Sequence, residues 1–304
     1  PKDPMVYLVS HTWTDRFEKG RRRATIEAYS NCDSVLLYND MTNEKATFLG
    51  RKKNNGVGTH FIWENRDIRY NVLRAVGYYK GKPVAEDLIV FKGLEQAPNF
   101  ELLYQDDKKI LKGEAGYNYL YRLNCGGDDY TDSFGQLWLQ DNTNYSHSWA
   151  ENFKDLNSYL ASQRTTNDPI RGTRDWKLFQ HFRFGRHQLE YRFPVADGTY
   201  RIELYFTEPW HGTGGSASTD CEGLRIFDVA VNDSVVLDDL DIWAESGHDG
   251  VCKKVVYATV TGGMLRIHFP EVKAGQALIS GIAIASTNEE LKPTVFPASD
   301  WSWE

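Results

Sequence analysis

The residues best suited to chemistry lie between Leu204 and Trp243, which read LYFTEPWHG, a Gly/Ser-rich loop, then GLRIFDVAVNDSVVLDDLDIW. Trp210 and His211 stand between two short alternating apolar runs, and Gly, Thr, Gly, Gly and Ser follow them. A large aromatic in that company is expected at an exposed strand end rather than in a core. Its ring would there form a flat platform for the C–H face of a sugar. The competing expectation for Trp210 is packing against the loop over residues 213–220. Asn232-Asp233 is a plausible tight-turn pair that folds the second run back as a hairpin.

Acid–base and metal chemistry find less support. A retaining glycosidase needs two carboxylates about 5 Å apart on a rigid frame. Asp238 and Asp239 are adjacent at one strand end, where neighbouring side chains are expected to point apart. Asp128-Asp129 follows Gly126-Gly127 on a loop. No G-x-S-x-G elbow occurs, and His147, His181, His187 and His248 lack any metal-ligand spacing. Cys32, Cys125, Cys221 and Cys252 include no C-x-x-C pair, which removes the usual zinc and redox readings. Cys221 and Cys252, each at a strand edge, either form a bridge in an oxidising compartment or remain buried thiols. The expectation is a chain with no cofactor and no catalytic centre of its own.

Charge and composition narrow the partners. The formal net charge of −7 is uneven: residues 1–95 carry 16 Lys/Arg against 12 Asp/Glu, the remainder 19 against 30. An acidic larger part argues against a nucleic-acid partner, which needs clustered cations. Arg21-Arg22-Arg23 is expected to be an exposed strand start, because the alternating run ATIEAY follows directly. Aromatics at 13% exceed what a core needs, so part of them should face a ligand or partner, although large β-sandwiches also use aromatics in their cores. No run of eighteen apolar residues exists to span a membrane. The chain opens Pro-Lys-Asp-Pro without a methionine and is expected to be a piece of a longer protein.

The elements that must position these residues read as an all-β chain of two β-sandwiches. Residues 1–95 give seven short strands: Val6 to Val9, Ala24 to Tyr29, Ser34 to Tyr38, Ala46 to Leu49, His60 to Trp63, Val72 to Tyr79 and Val84 to Phe91. That number of strands, with turns between, predicts an immunoglobulin-like sandwich. Residues 96–116 are expected to be a linker, a partly ordered hinge. The second sandwich, 117–287, has strand candidates at Tyr119 to Leu123, His187 to Phe193, Tyr200 to Phe206, Leu224 to Val231, Val235 to Asp238, Val255 to Val260, Met264 to Phe269 and Leu278 to Ala285. Asp197-Gly198 and Gly262-Gly263 are expected to be hairpin turns. Over Asn142 to Gln163 the apolar spacing predicts one short helix or a long excursion over the sandwich edge. Trp243 and Phe227 alternate with Asp residues and are assigned to the core. An irregular tail, 288–304, holds Trp301 and Trp303.

Several of these motifs, in one order, resemble the malectin family of carbohydrate-binding β-sandwiches. They are Asn124-Cys125-Gly126-Gly127, Asp132-Ser133-Phe134-Gly135, the strand ending at Trp210-His211, FDV-x-VN, LDI and the strand from Ile279 to Ala285. The resemblance implies a jelly-roll, galactose-binding-like fold. It places the family's aromatic pair on Trp210 and His211 and a further aromatic on Phe184, within Gln180-His181-Phe182-Arg183-Phe184. Core packing is the competing expectation for Phe184. A third aromatic falls on Trp149 or Tyr159. The family's acidic residue falls near Ala274, so that carboxylate is missing here and the family's short α-glucan should not be assumed.

The first sandwich is similar to the immunoglobulin-like domains that follow the barrel in family 2 glycoside hydrolases, the β-galactosidase-type enzymes. The supporting residues are YSNCDSVLLYND at 29–40, Leu49-Gly50, LRAVGY at 73–78 and KGKPV at 80–84. Asp40 replaces the usual Gly after Asn39. Asn43-Glu44 and Asn288-Glu289 are like that family's Asn-Glu acid motif, but no strand feeds either, and no barrel of eight βα units fits. Together the resemblances imply a non-catalytic accessory region of such an enzyme. Its partners would be an oligosaccharide or polysaccharide and the parent's catalytic domain, in a periplasmic or extracellular setting. The alternatives are pure bracing of the parent, or a loop that completes the parent's active site, with Trp149, Trp301 and Trp303 as the features that would serve it.

Overall fold

Alternating apolar residues become strands because each strand shows every second side chain to a core. The computed structural model describes residues 3–17, 22–141, 161–186, 189–212 and 220–292. Its contacts divide into two units: Pro1–Asp106 with Asn167–Arg171 and Gly212–Asp220, and Asp107–Thr166 with Gly172–His211 and Cys221–Glu304.

Unit 1 is built of β1 (Val6–Val9), β2 (Arg23–Ser30), β3 (Ser34–Tyr38), β4 (Phe48–Lys53), β5 (His60–Asp67), β6 (Val72–Tyr79) and β7 (Lys82–Val90). They form a sheet in the order β1-β2-β5 and another in the order β4-β3-β6-β7. Ile26, Trp63, Leu37, Leu73 and Ile89 are buried in their shared core. β2 does begin exposed at Arg23. β4 starts later than expected because residues 45–47 first make one 3-10 turn. Lys80 and Gly81, both at positive φ (48° and 79°), close the β6–β7 hairpin. Asn39 and Asp40 are not a surface turn. Asn39 donates to the Tyr70 and Val72 carbonyls at 2.8 and 2.6 Å, and Asp40 accepts from the Asn99 side chain at 2.6 Å. A glycine at 40 could not hold Asn99 in this way.

His11 is the most heavily paired histidine of this unit. Its Nε2 meets the Asp87 carboxylate at 2.9 Å, its Nδ1 meets Asp168, and its ring stacks on Tyr7 at 5.0 Å. Burial opposes the charged ring, but the two carboxylates outweigh it and raise the His11 pKa to about 10.

Unit 2 contains β8 (Asn118–Cys125), β9 (Tyr130–Thr131), β10 (Leu137–Asp141), β11 (Ala161–Thr165), β12 (His181–Gly185), β13 (Glu190–Pro194) and β14 (Gly198–Phe206). After these come β15 (Ile226–Val231), β16 (Ser234–Leu240), β17 (Cys252–Val260), β18 (Met264–His268), β19 (Val272–Ala274), β20 (Ala277–Ile279) and β21 (Gly281–Ser286). Short helices α1 (Trp176–Phe179) and α2 (Ile242–Ser246) complete it. One sheet runs β17-β14-β21-β8-β10-β9, another β13-β18-β15-β16 with β19 on β15, and a third β11-β12-β20. Ile202, Leu204, Phe227, Val229, Leu265 and Ile282 lie in the core between them.

The structure corrects several sequence expectations. Asp197-Gly198 and Gly262-Gly263 are not hairpins but crossovers, because β13 and β18 lie in one sheet while β14 and β17 lie in another. The two crossovers are tied together, since Asp197 Oδ1 accepts the Gly262 and Gly263 N–H groups at 2.7 and 2.9 Å. Leu278 to Ala285 is two strands, β20 and β21, divided at Ser280. Residues 161–163 are strand rather than helix, and 142–160 lie outside the described residues. Trp243 is half-buried in α2, which starts where Asp241 Oδ1 accepts the Ala244 N–H at 3.0 Å. Phe227 is fully buried, and all four cysteines are buried free thiols. Asn232-Asp233 makes the expected turn between β15 and β16, with Asn232 at φ 52°.

On the outer face of β14, Glu203 is buried and fully occupied. Tyr119 and Tyr205 donate hydroxyls at 2.9 and 2.5 Å, Arg201 Nε donates at 2.8 Å, and Lys253 Nζ lies 3.0 Å away.

Candidate functional site

Trp210 follows the end of β14 after Thr207-Glu208-Pro209, and Glu208 fixes its position. The Glu208 side chain turns back under the chain, and its Oε1 accepts the Trp210 and His211 N–H groups at 3.0 and 3.1 Å. Arg225, at the entry to β15, meets both carboxylate oxygens, through Nε to Oε2 and through Nη2 to Oε1 at 3.2 Å. Its Nη1 donates to the Gln276 carbonyl at 2.5 Å. Both side chains are buried. Burial alone would raise the Glu208 carboxyl, but the Arg225 contacts and the two backbone donors hold it below the usual carboxylate range.

That ion pair supports an aromatic cluster. Arg225 Cζ lies 5.1 Å from the Trp210 ring centroid, a cation–π contact. Trp210 also meets Phe184 at 5.0 Å and 87°, and Phe182 at 5.4 Å and 78°, both edge to face. Phe182 is buried, Phe184 is half-buried at the margin of the core, and Trp210 remains 37% exposed. Phe184 packs against the core, as one expectation had it, and also against the Trp210 ring. The described packing of Trp210 is on these rings and Arg225; residues 213–219 lie outside the described residues. His211, half-buried beside it, is held through its N–H.

β12 supplies both phenylalanines, with Arg183 between them on the opposite face. Arg183 is buried and grips Asp141 at the end of β10, Nε to Oδ2 at 2.7 Å and Nη2 to Oδ1 at 3.0 Å. Tyr191 donates its hydroxyl to the same carboxylate at 3.0 Å. On the Phe face of the neighbouring β11 stands Arg164, which pairs in register with Phe182 and sets its Cζ 6.0 Å from the Phe184 ring. Arg164 is exposed and pairs with no carboxylate among the described residues.

The other singled-out motifs hold the frame. Gly126 has φ 75°, and a Cβ there would come within 2.9 Å of the Phe182 carbonyl oxygen, so glycine lets β12 pass close. Asp132 accepts the Phe134 and Gln136 N–H groups, each at 2.9 Å, and the Trp138 indole at 2.9 Å. The Cys125 thiol is pushed well up by burial and by Asp141, which makes it a poor nucleophile. Asp238 and Asp239 do not point apart as expected. A register shift in the β15–β16 pair and a positive φ at Asp239 bring their carboxylates together with Asp228, all within 4.8 Å. That group is tied up internally: Asp239 pairs with Lys273, and Asp228 Oδ1 accepts the Asp239 N–H at 2.9 Å.

Of the aromatic residues expected at a site, the structure joins Trp210, Phe184 and His211. Trp149 and Tyr159 lie outside the described residues, as do Trp301 and Trp303. Glu208, Arg225 and Arg164 were missed from sequence. The TEPW run held the one usable signal, an acid two residues before an exposed aromatic.

The Malectin domain family matches residues 119–288. The chain belongs to the malectin family. Malectin from Danio rerio is 24% identical over 166 residues, 53% of this chain and 52% of that protein, so the chain spans about half the length of this curated relative. Among solved structures, Bacteroides uniformis β-glucuronidase is 24% identical, with 93% of this chain and 30% of that one covered and a TM-score of 0.44. The ANX2 ectodomain from Arabidopsis thaliana is 13% identical over 93% of this chain and 81% of that one, at a TM-score of 0.43. A malectin domain is a carbohydrate-binding domain, not a catalytic one, and such domains are typically extracellular. No described helix is long and apolar enough to cross a membrane.

Proposed function

We propose that this chain is a non-catalytic accessory region of a family 2 glycoside hydrolase and that its malectin domain binds an oligosaccharide or polysaccharide on Trp210 and Phe184, with His211 at the rim. Trp149 and Tyr159 are the weaker contributors. Bound glycan would raise the local substrate concentration for the parent's catalytic domain, as in any tethered pair. Unit 1, with seven strands in sheets of three and four, is read as an immunoglobulin-like spacer. The setting is extracellular or periplasmic. The observation that carries the reading is the exposed Trp210 ring, fixed by the buried Glu208–Arg225 pair and two phenylalanines. A core tryptophan needs no such support under an open face.

Titration calorimetry of the whole chain against gluco-, galacto- and xylo-oligosaccharides, with Trp210→Ala as control, tests it. Binding lost in the variant is the expected result. Absence of heat with every sugar would leave the bracing role, which the lack of an acid near Ala274 favours.

A further inference from the structure

We propose that the glycan taken by the Trp210–Phe184 platform carries a ring carboxylate, that is, a uronic acid residue, and that Arg164 pairs with it. This inference rests on the carbohydrate-binding reading above. A neutral sugar presents hydroxyls that both donate and accept, so its sites offer acceptors as well as donors. Among the described residues, the carboxylates behind this platform are already taken up. Glu208 Oε1 takes the Trp210 and His211 N–H groups and Arg225 Nη2, and its Oε2 takes Arg225 Nε. Asp141, behind β12, is held by Arg183, Tyr191 and the Gly126 N–H. Phe184 has no hydroxyl to offer.

The donors are placed differently. Arg225 and Arg183 are each neutralised by a buried carboxylate, so neither adds net charge to the site. Arg164 is left as a whole positive charge beside the Phe184 ring, on the same sheet face, with no carboxylate against it among the described residues. Arg186, two residues beyond Phe184, is likewise exposed with no described ion pair. A guanidinium offers a planar fork that matches a carboxylate with two parallel N–H donors. A uronic acid stacked on Trp210 would present that carboxylate at the edge of its ring while its C–H face lies on the indole. The cation stands out further because the remainder of the chain beyond residue 95 is acidic, 19 Lys/Arg against 30 Asp/Glu.

The test uses the whole chain and two matched pairs of probes: trigalacturonic acid and a glucuronic-acid-bearing xylo-oligosaccharide, each beside its own methyl ester. In low salt, at least one acid should bind about tenfold tighter than its ester, as charge-assisted pairing predicts. Arg164→Gln should abolish that preference, acid and ester then binding alike, and Trp210→Ala should abolish binding of acid and ester together. Equal affinity for acid and ester in both pairs would overturn the inference and leave the carbohydrate reading standing. Acid binding that survives Trp210→Ala would also overturn it, because the anion would then sit elsewhere. Failure of every sugar to bind would remove both readings together.

Discussion

Arg225 lies under Trp210, with its Cζ 5.1 Å from the indole centroid, while the same guanidinium neutralises Glu208. One buried cation thus holds the ring and the carboxylate that fixes the ring's backbone. Arg225→Ala should leave Glu208 charged and unpaired in the interior, at a cost of about 3–5 kcal/mol in stability. Urea unfolding at pH 7 measures this. A loss below about 1 kcal/mol, the scale of an exposed ion pair, would show that the pair is not buried as described.

Trp210→Ala and Phe184→Ala should separate binding from stability. Trp210 is partly exposed and should cost about 2 kcal/mol or less in unfolding free energy, while sugar affinity falls to background. Trp210→Phe keeps a smaller ring over Arg225 and should retain weak binding. Paired unfolding and calorimetric titrations of the three variants check this, and full affinity in Trp210→Ala would exclude the platform.

Stability should depend on pH at both ends of the range. Glu203 and Glu208 are held below their ordinary values against the opposing effect of burial, by Tyr205, Lys253 and Arg201 for the first and by Arg225 for the second. A depressed carboxyl contributes stability that is present above about pH 4.5 and disappears as pH falls through its folded value. Denaturation midpoints should therefore drop below pH 4.5, and less steeply in Glu208→Gln, whose lower starting stability already lacks that term.

His11 runs the other way. Raised to about 10 between Asp87 and Asp168, it contributes stability that is complete below its unfolded value near 6.5 and lost as pH rises through 10. The difference in melting temperature between the protein and His11→Asn should be largest at pH 6 and should close above pH 10. A difference that stays constant from pH 6 to 11 would mean that the ring is not charged in the fold.

Gly126→Ala tests the link between frame and site. Its Cβ would meet the Phe182 carbonyl from a positive φ, so the substitution should cost about 2–3 kcal/mol. It should also weaken sugar binding by moving β12, which carries Phe184. Unchanged binding would show that β12 is positioned from elsewhere.

Strands filled mostly by apolar residues were legible in the sequence. β6 and β14 were read almost to the residue because long apolar runs carry them, even though Arg74, Arg201 and Glu203 are buried within them. β12 and β10 were not, because Arg183 and Asp141 place charges at buried positions and satisfy each other across forty-two residues of chain. The crossovers at Gly198 and Gly263 passed for hairpins because turn chemistry is local, whereas the choice of sheet is not. The site divided in the same way. Trp210 stood out by its neighbours in sequence. Glu208, Arg225 and Arg164 acquire their meaning only through partners brought together by folding.

Ser280 is the one residue between two strands that belong to different sheets. Ile279 pairs with Arg183 on β12, while Gly281 pairs with Asn124 on β8 and Tyr205 on β14. The Ser280 N–H and C=O are themselves bonded, to Tyr205 and Cys125, both at 2.9 Å. Adding or deleting one residue on either side would turn every following side chain to the wrong face. From Ala277 to Ser286 the chain is therefore fixed in length as firmly as in its buried side chains.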